Sequence, residues 1–324
     1  MRLISFLRKR ASDPALGALV ENEVVDLAAA STALAPGLDA GGMLRSLDAL
    51  LAGWENGYPL ARTVLDRVAA AKPETRLALA GSGGIVPLST VDLRSPVSRP
   101  PTFRDFYAFE AHVKNARARR GLPVPAEWYE APAFYFSNPG SLLGHGASVR
   151  KPTWTEALDY ELELACVIGR RARDVRLEEW RSVVAGFTIL NDWSARDVQR
   201  REMAVGLGPA KGKDFATSLG PALVTLDELE SRRRGDRLEL AMEARVNEET
   251  LSRGNAGDMH FGWGELIARA SQDVYLWPGD VIGSGTVGGG CLLELGPDVH
   301  SWLKPGDEVT LEIELLGALS NTIV

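Results

Sequence analysis

Hydrophobic and polar positions along this chain repeat with two periods, and the period changes partway along it. Residues 3–7 read as a strand, and residues 16–27 as a hairpin around Glu21, Asn22 and Glu23. Residues 43–54 and 59–71 carry apolar side chains at helical spacing. A glycine-rich break at 81–84 separates the second of these from a short strand, 85–88. Residues 1–92 therefore read as a small α/β N-terminal domain. Pro96, Pro100 and Pro101 make 91–102 an extended crossing. Residues 103–120 fit a helix, and 122–138 read as a long irregular segment of the kind that serves function. From residue 151 onward, short apolar runs and period-two alternation dominate. Pro278-Gly279-Asp280 recurs as Pro305-Gly306-Asp307, which fits type II turns with glycine supplying the positive φ. The fold class is α+β and β-rich, with a second domain over 103–324.

The chemistry gathers between residues 159 and 217. In a strand, Asp159, Glu161 and Glu163 share one face, and Leu162, Leu164 and Cys166 share the other. Two carboxylates at i and i+2 converge without a turn, as a hard divalent cation requires. A half-solvated antiparallel strand gives the same pattern, and Leu311 to Leu315 alternates with Glu312 and Glu314 in that way. A second acid, Asp192, ends the apolar run 187–190. An acid there needs a partner or a metal, or it caps the helix that 194–203 suggests. Lys213 follows in a glycine-rich turn.

Composition narrows the class. The chain has 324 residues, 45% of them apolar and 24% charged, with a net charge of −7. This is an ordinary globular balance, and nothing in it suggests a nucleic-acid-binding protein. The basic run Ser231 to Arg237 is a short solvated loop without aromatic interleaving. Cys166 and Cys291 make no disulfide framework and read as buried thiols. Nothing resembles a signal peptide or an apolar run long enough for a membrane helix, so a cytoplasmic protein is expected.

Five stretches in order, YELELA, NDWSARDVQ, LGPxxGKxF, GSGTVGGG and a late LLEL, resemble the fumarylacetoacetate hydrolase family across residues 100–316. The resemblance implies a mixed β-roll and a homodimer. It implies a metal-dependent hydrolase that cleaves a C–C bond in a β-diketone or acylpyruvate, such as fumarylacetoacetate or fumarylpyruvate. Asp105, Glu161, Glu163 and Asp192 would ligate Mg²⁺, or else Ca²⁺ or Mn²⁺. His112, seven residues after Asp105, would be the general base, paired with Glu294. Lys213 and Gln199 would support an oxyanion, and Tyr107, Tyr135 and Thr286 would contact the dioxo-acid substrate. Arg119 and Arg120 stand nearest to the family's substrate arginine, with slipped spacing. The chain departs from the family at Asp214, at Ala216 and after Tyr135, which leaves the substrate open. Relatives that decarboxylate, isomerise or hydrate 2-oxo acids supply the second enzymatic reading. A binding protein with a structural metal is the third, but it would need neither His112 nor Lys213.

Overall fold

The computed structural model describes residues 1–9 and 11–324. Its architecture is strand-rich α+β without a closed barrel. The main feature is a 12-stranded mixed sheet. From Arg2–Arg8 to one edge its strands run in the order Arg2–Arg8, Thr217–Thr225, Val184–Asp192, Leu162–Ile168, Val281–Gly283, Phe103–Phe106 and Phe134–Phe136. A second sheet of five strands stacks Glu249–Asn255, Ala241–Val246, Glu308–Ile313, Gly317–Ile323 and Ser148–Val149.

The central strand Leu162–Ile168 is buried along its whole length. Leu162, Leu164, Cys166 and Ile168 share one core with Met242, Leu311 and Ile313 of the second sheet. Ala165 and Val167 join another core with Leu47, Leu50, Ala61 and Val64 of the N-terminal helices. Strict alternation therefore feeds two cores rather than one core and water. The comparison strand has the other fate. Glu312 is exposed and pairs with Arg245 at 2.9 Å.

Residues 1–92 give the expected first strand and hairpin, the latter turning at Glu21 with φ 54°. They do not form a sheet of their own. Arg2 and Leu3 pair with Val224 and Leu223 of Thr217–Thr225, so the N-terminal strands extend the main sheet. Helix Pro73–Gly81, with proline in its first turn, is an addition to the sequence reading. The expected helix over 103–120 is corrected: it divides into strand Phe103–Phe106 and helix Glu110–Ala118. The strand exists because Val281–Gly283 offers a parallel partner, with Asp105 opposite Gly283. Both Pro-Gly-Asp turns form as read, with Gly279 and Gly306 at φ 89° and 95°. In each, the aspartate accepts from the backbone N–H three residues earlier, Trp277 at 2.8 Å and Lys304 at 2.9 Å.

Candidate active site

Three strands deliver carboxylates to one buried point. Asp105 comes from Phe103–Phe106, Glu163 from the start of Leu162–Ile168, and Asp192 from the end of Val184–Asp192. One oxygen from each of these three lies within 4.8 Å of the others, and all three residues are buried. Glu163 Oε2 and Asp192 Oδ1 have no hydrogen-bond partner among the described residues. Buried unpaired carboxylate oxygens are costly. An all-oxygen set with two free, converging atoms fits a hard divalent cation.

The electrostatics agree. Burial, then the Asp192 charge, pushes Asp105 up to about 8. Burial, then Asp105 and Glu161, pushes Glu163 well above the usual carboxylate range. Asp192 is pushed up to about 6 by burial, against the opposing pull of Lys213. Such a cluster holds protons that a cation would displace.

Glu161 stands apart. It precedes the strand proper, and cations engage both its oxygens: Arg196 donates to Oε1 at 2.8 Å and Lys213 to Oε2. Burial alone would raise Glu161, but Lys213 and Arg196 overcome it and hold the group below the usual carboxylate range. Lys213 is buried and also donates to Asp192. Asp192 does not cap a helix; helix Arg196–Val205 begins after Ala195, with no side-chain cap. Asp214 pairs with Lys211 at 3.0 Å, so it does not act as a second acid beside Lys213.

His112 lies in helix Glu110–Ala118 and is 5% exposed. Its Nδ1 meets Glu294 Oε1 at 2.5 Å. Glu294 Oε2 accepts from Asn115 Nδ2 at 2.9 Å and from Gly289 N at 2.8 Å. Burial raises Glu294, but the bond to His112 outweighs it and holds the group below its ordinary value. An ionised Glu294 places the shared proton on Nδ1 and leaves Nε2 as the free acceptor. Tyr107 packs edge-on against the imidazole, with ring centroids 5.2 Å apart. Burial raises the Tyr107 hydroxyl to about 12, so it stays a neutral donor.

The glycine-rich run does cradle carboxylates, but those of the protein itself. Gly285 N donates to Asp105 and Gly289 N to Glu294. Thr286 donates to Glu163 at 3.1 Å. Tyr135 donates to Asp105 at 3.2 Å and also to Asp192. Gln199 Oε1 accepts from Arg196 at 3.0 Å, which leaves its NH₂ free to donate.

A cavity of roughly 780 Å³ joins these groups; Asp105, Tyr107, His112, Glu163, Lys213 and Thr286 all line it. Arg119 and Arg120 line it as well, and the Arg119 guanidinium donates to the carbonyls of Glu294 and Leu295. The residue that sequence reasoning missed is Arg196. It donates to Asp159 at 2.7 Å and to Glu161. Its signal was present, since two buried acids at 159 and 161 demand a cation. Asp159 thus belongs to the scaffold: it also accepts from Leu292 N and Leu293 N, which seats the short helix carrying Glu294.

The profile described as fumarylacetoacetate (FAA) hydrolase C-terminal matches residues 102–324. The chain is 37% identical to the human mitochondrial oxaloacetate tautomerase FAHD2A over 252 residues, 77% of this chain and 74% of the relative. Among solved structures, the 5-carboxymethyl-2-hydroxymuconate delta-isomerase of Mycobacterium smegmatis matches with a TM-score of 0.57 and 28% identity. That match covers 74% of this chain and 82% of the isomerase. A maleylpyruvate hydrolase from Sphingobium sp. SYK-6, solved with manganese(II) and pyruvate, has the same fold over 100% of this chain and 99% of its own. Its TM-score is 0.69 at 23% identity. The matched profile covers the carboxylates, the His112–Glu294 pair and Lys213 together, and the chain belongs to the fumarylacetoacetate hydrolase family of enzymes.

Proposed function

We propose that this protein is a metal-dependent hydrolase that cleaves the C–C bond of an acylpyruvate. One observation carries the reading: a histidine whose Nδ1 is held by a buried glutamate lines the same cavity as Asp105 and Glu163, two of three converging carboxylates. Asp105, Glu163 and Asp192 would hold the cation, and Mg²⁺ or Mn²⁺ suits their oxygens. When bound, the cation supplies Lewis-acid stabilisation of developing negative charge.

The residues of the chain do the rest. His112 Nε2 takes a proton from water, and Glu294 stabilises the imidazolium that results. Hydroxide adds to the acyl carbonyl distal to the carboxylate. The Gln199 amide and Lys213 ammonium face the oxyanion. As that adduct collapses, the C–C bond breaks and the methylene carbon receives the proton held on His112. The products are the free acid and pyruvate, and water is the only co-reactant.

A second reading has a specific support, the 37% identity to an oxaloacetate tautomerase. Keto–enol exchange of oxaloacetate needs the same base and the same carboxylates, but no water. One assay separates the two. The purified protein with Mg²⁺ is incubated with fumarylpyruvate, acetylpyruvate, fumarylacetoacetate and oxaloacetate, and the products are identified. Release of pyruvate and a free acid from an acylpyruvate is expected. Exchange of oxaloacetate without any cleavage of the acylpyruvates would replace hydrolysis by tautomerisation.

A further inference from the structure

We propose that His112, Cys291 and Glu294 form a second metal site, chemically distinct from the carboxylate cluster and selective for a thiophilic divalent ion such as zinc. Nδ1 of His112, Sγ of Cys291 and a carboxylate oxygen of Glu294 lie within 4.8 Å of one another, and all three residues are buried. An imidazole, a thiol and a carboxylate form a donor set of the zinc type, whereas Asp105, Glu163 and Asp192 offer only oxygen.

The spacing suits the ion. Tetrahedral zinc with bonds of about 2.0–2.3 Å sets its ligand atoms about 3.3–3.8 Å apart. Cys291 Sγ already lies 3.5 Å from Glu294 Oε1. His112 Nδ1, at 2.5 Å from that oxygen, has to withdraw by only about 1 Å. The outer contacts are in place too. Asn115 and Gly289 hold Glu294 Oε2, so Oε1 is the oxygen presented to a metal. A thiolate, a carboxylate and a neutral imidazole also balance a divalent charge, which suits a buried position. Entry is from the active-site cavity, which His112 lines.

The functional consequence rests on the base role given to His112 above. A metal on Nδ1 takes the place of the proton shared with Glu294, so the dyad cannot cycle. The same enzyme would then be activated by a hard cation at one site and silenced by a soft one at the other, a few residues away.

The test begins with spectroscopy, which needs no turnover. Wild-type protein in excess Mg²⁺, with the carboxylates saturated, is titrated with Co²⁺ as the zinc surrogate. A near-ultraviolet thiolate-to-cobalt charge-transfer band is expected, retained in Cys166→Ala and lost in Cys291→Ser. If Cys291→Ser does not fold, retention of the band in Cys166→Ala still assigns it to the one remaining thiol. Absence of the band in folded wild-type protein, or its loss in a folded Cys166→Ala protein, overturns the site. In the Mg²⁺-supported assay, zinc should inhibit wild-type enzyme, with the half-inhibiting concentration raised by at least about tenfold in Cys291→Ser. A cobalt band without inhibition would leave the metal site standing and refute the base role of His112 instead.

Discussion

At the scale of single residues, the site separates into groups that hold charge and groups that move a proton. His112 belongs to the second kind: its contacts are Glu294 and Tyr107, not the carboxylate triad. His112→Ala should therefore keep its affinity for Mg²⁺ while losing about 10²- to 10⁴-fold in kcat. Calorimetric metal titration beside steady-state kinetics checks this, and near wild-type turnover would make the histidine structural. A pH effect follows from the triad. Without a cation, burial pushes Asp105 up to about 8 and Asp192 up to about 6. A carboxyl whose folded value lies above its unfolded value of about 4 binds its proton more tightly in the folded state. Its contribution is thus present at low pH and is lost as pH rises from about 4 to about 8. The Tm of chelated protein should fall across that window, and Mg²⁺ should restore most of the loss. Thermal melts at several pH values, with and without EDTA, decide it; a gap that stays constant would remove these carboxylates from the metal site. Alternation offered Glu161 and Glu163 as converging acids, the end of an apolar run offered Asp192, and resemblance alone supplied Asp105 and its spacing to His112. The sequence did not reveal that Glu161 would be taken up by Arg196 and Lys213, because those contacts close over 35 and 52 residues of chain.

At the scale of elements, local periodicity and long-range pairing compete. The apolar spacing of 103–120 is helical enough to suggest one helix. The structure keeps that helix only from Glu110 and gives Phe103–Phe106 to the sheet, because its partner Val281–Gly283 arrives late in the chain. No local pattern carries that information. What it produces is a close approach that only glycine allows. A Cβ on Gly283 would lie 2.2 Å from Asp105 Oδ1 and 3.4 Å from Glu163 Oε2. Gly283→Ala must therefore push Asp105 off its position while leaving the strand backbone able to form. The expected result is a loss of at least about tenfold in metal affinity, with an unchanged circular dichroism spectrum. Wild-type metal affinity in this variant would mean that Asp105 is not held where the sheet puts it. The same competition explains a success: the Pro-Gly-Asp turns were legible because a turn is decided within four residues.

At the scale of the whole molecule, composition and periodicity suggested two units, and the sheet joins them. Residues 2–8 occupy the position beside Thr217–Thr225, and the helices that follow cover one face of the sheet. Beneath them lie Ala165, Val167, Leu190, Leu219 and Leu223, all 0% or nearly 0% exposed. Ala165 and Val167 belong to the strand that presents Glu163, and Leu190 to the one that presents Asp192, so the N-terminal segment supports the carboxylate cluster from behind. Removing residues 1–92 would leave that apolar face and a long strand edge open, which is a surface prone to aggregation. A fragment spanning 93–324 should be insoluble or should melt without cooperativity. A milder probe acts at the same seam. Leu3 is fully buried and sits opposite Leu223, so Leu3→Ala should cost about 2–5 kcal/mol in urea unfolding. The two outcomes must agree. A fragment that melts as cooperatively as the full chain, together with a Leu3→Ala cost near zero, would make the N-terminal segment an independent domain that merely rests against the sheet. A large cost and a failed fragment make one folding unit, in which the carboxylate cluster depends on packing contributed by the first ninety residues.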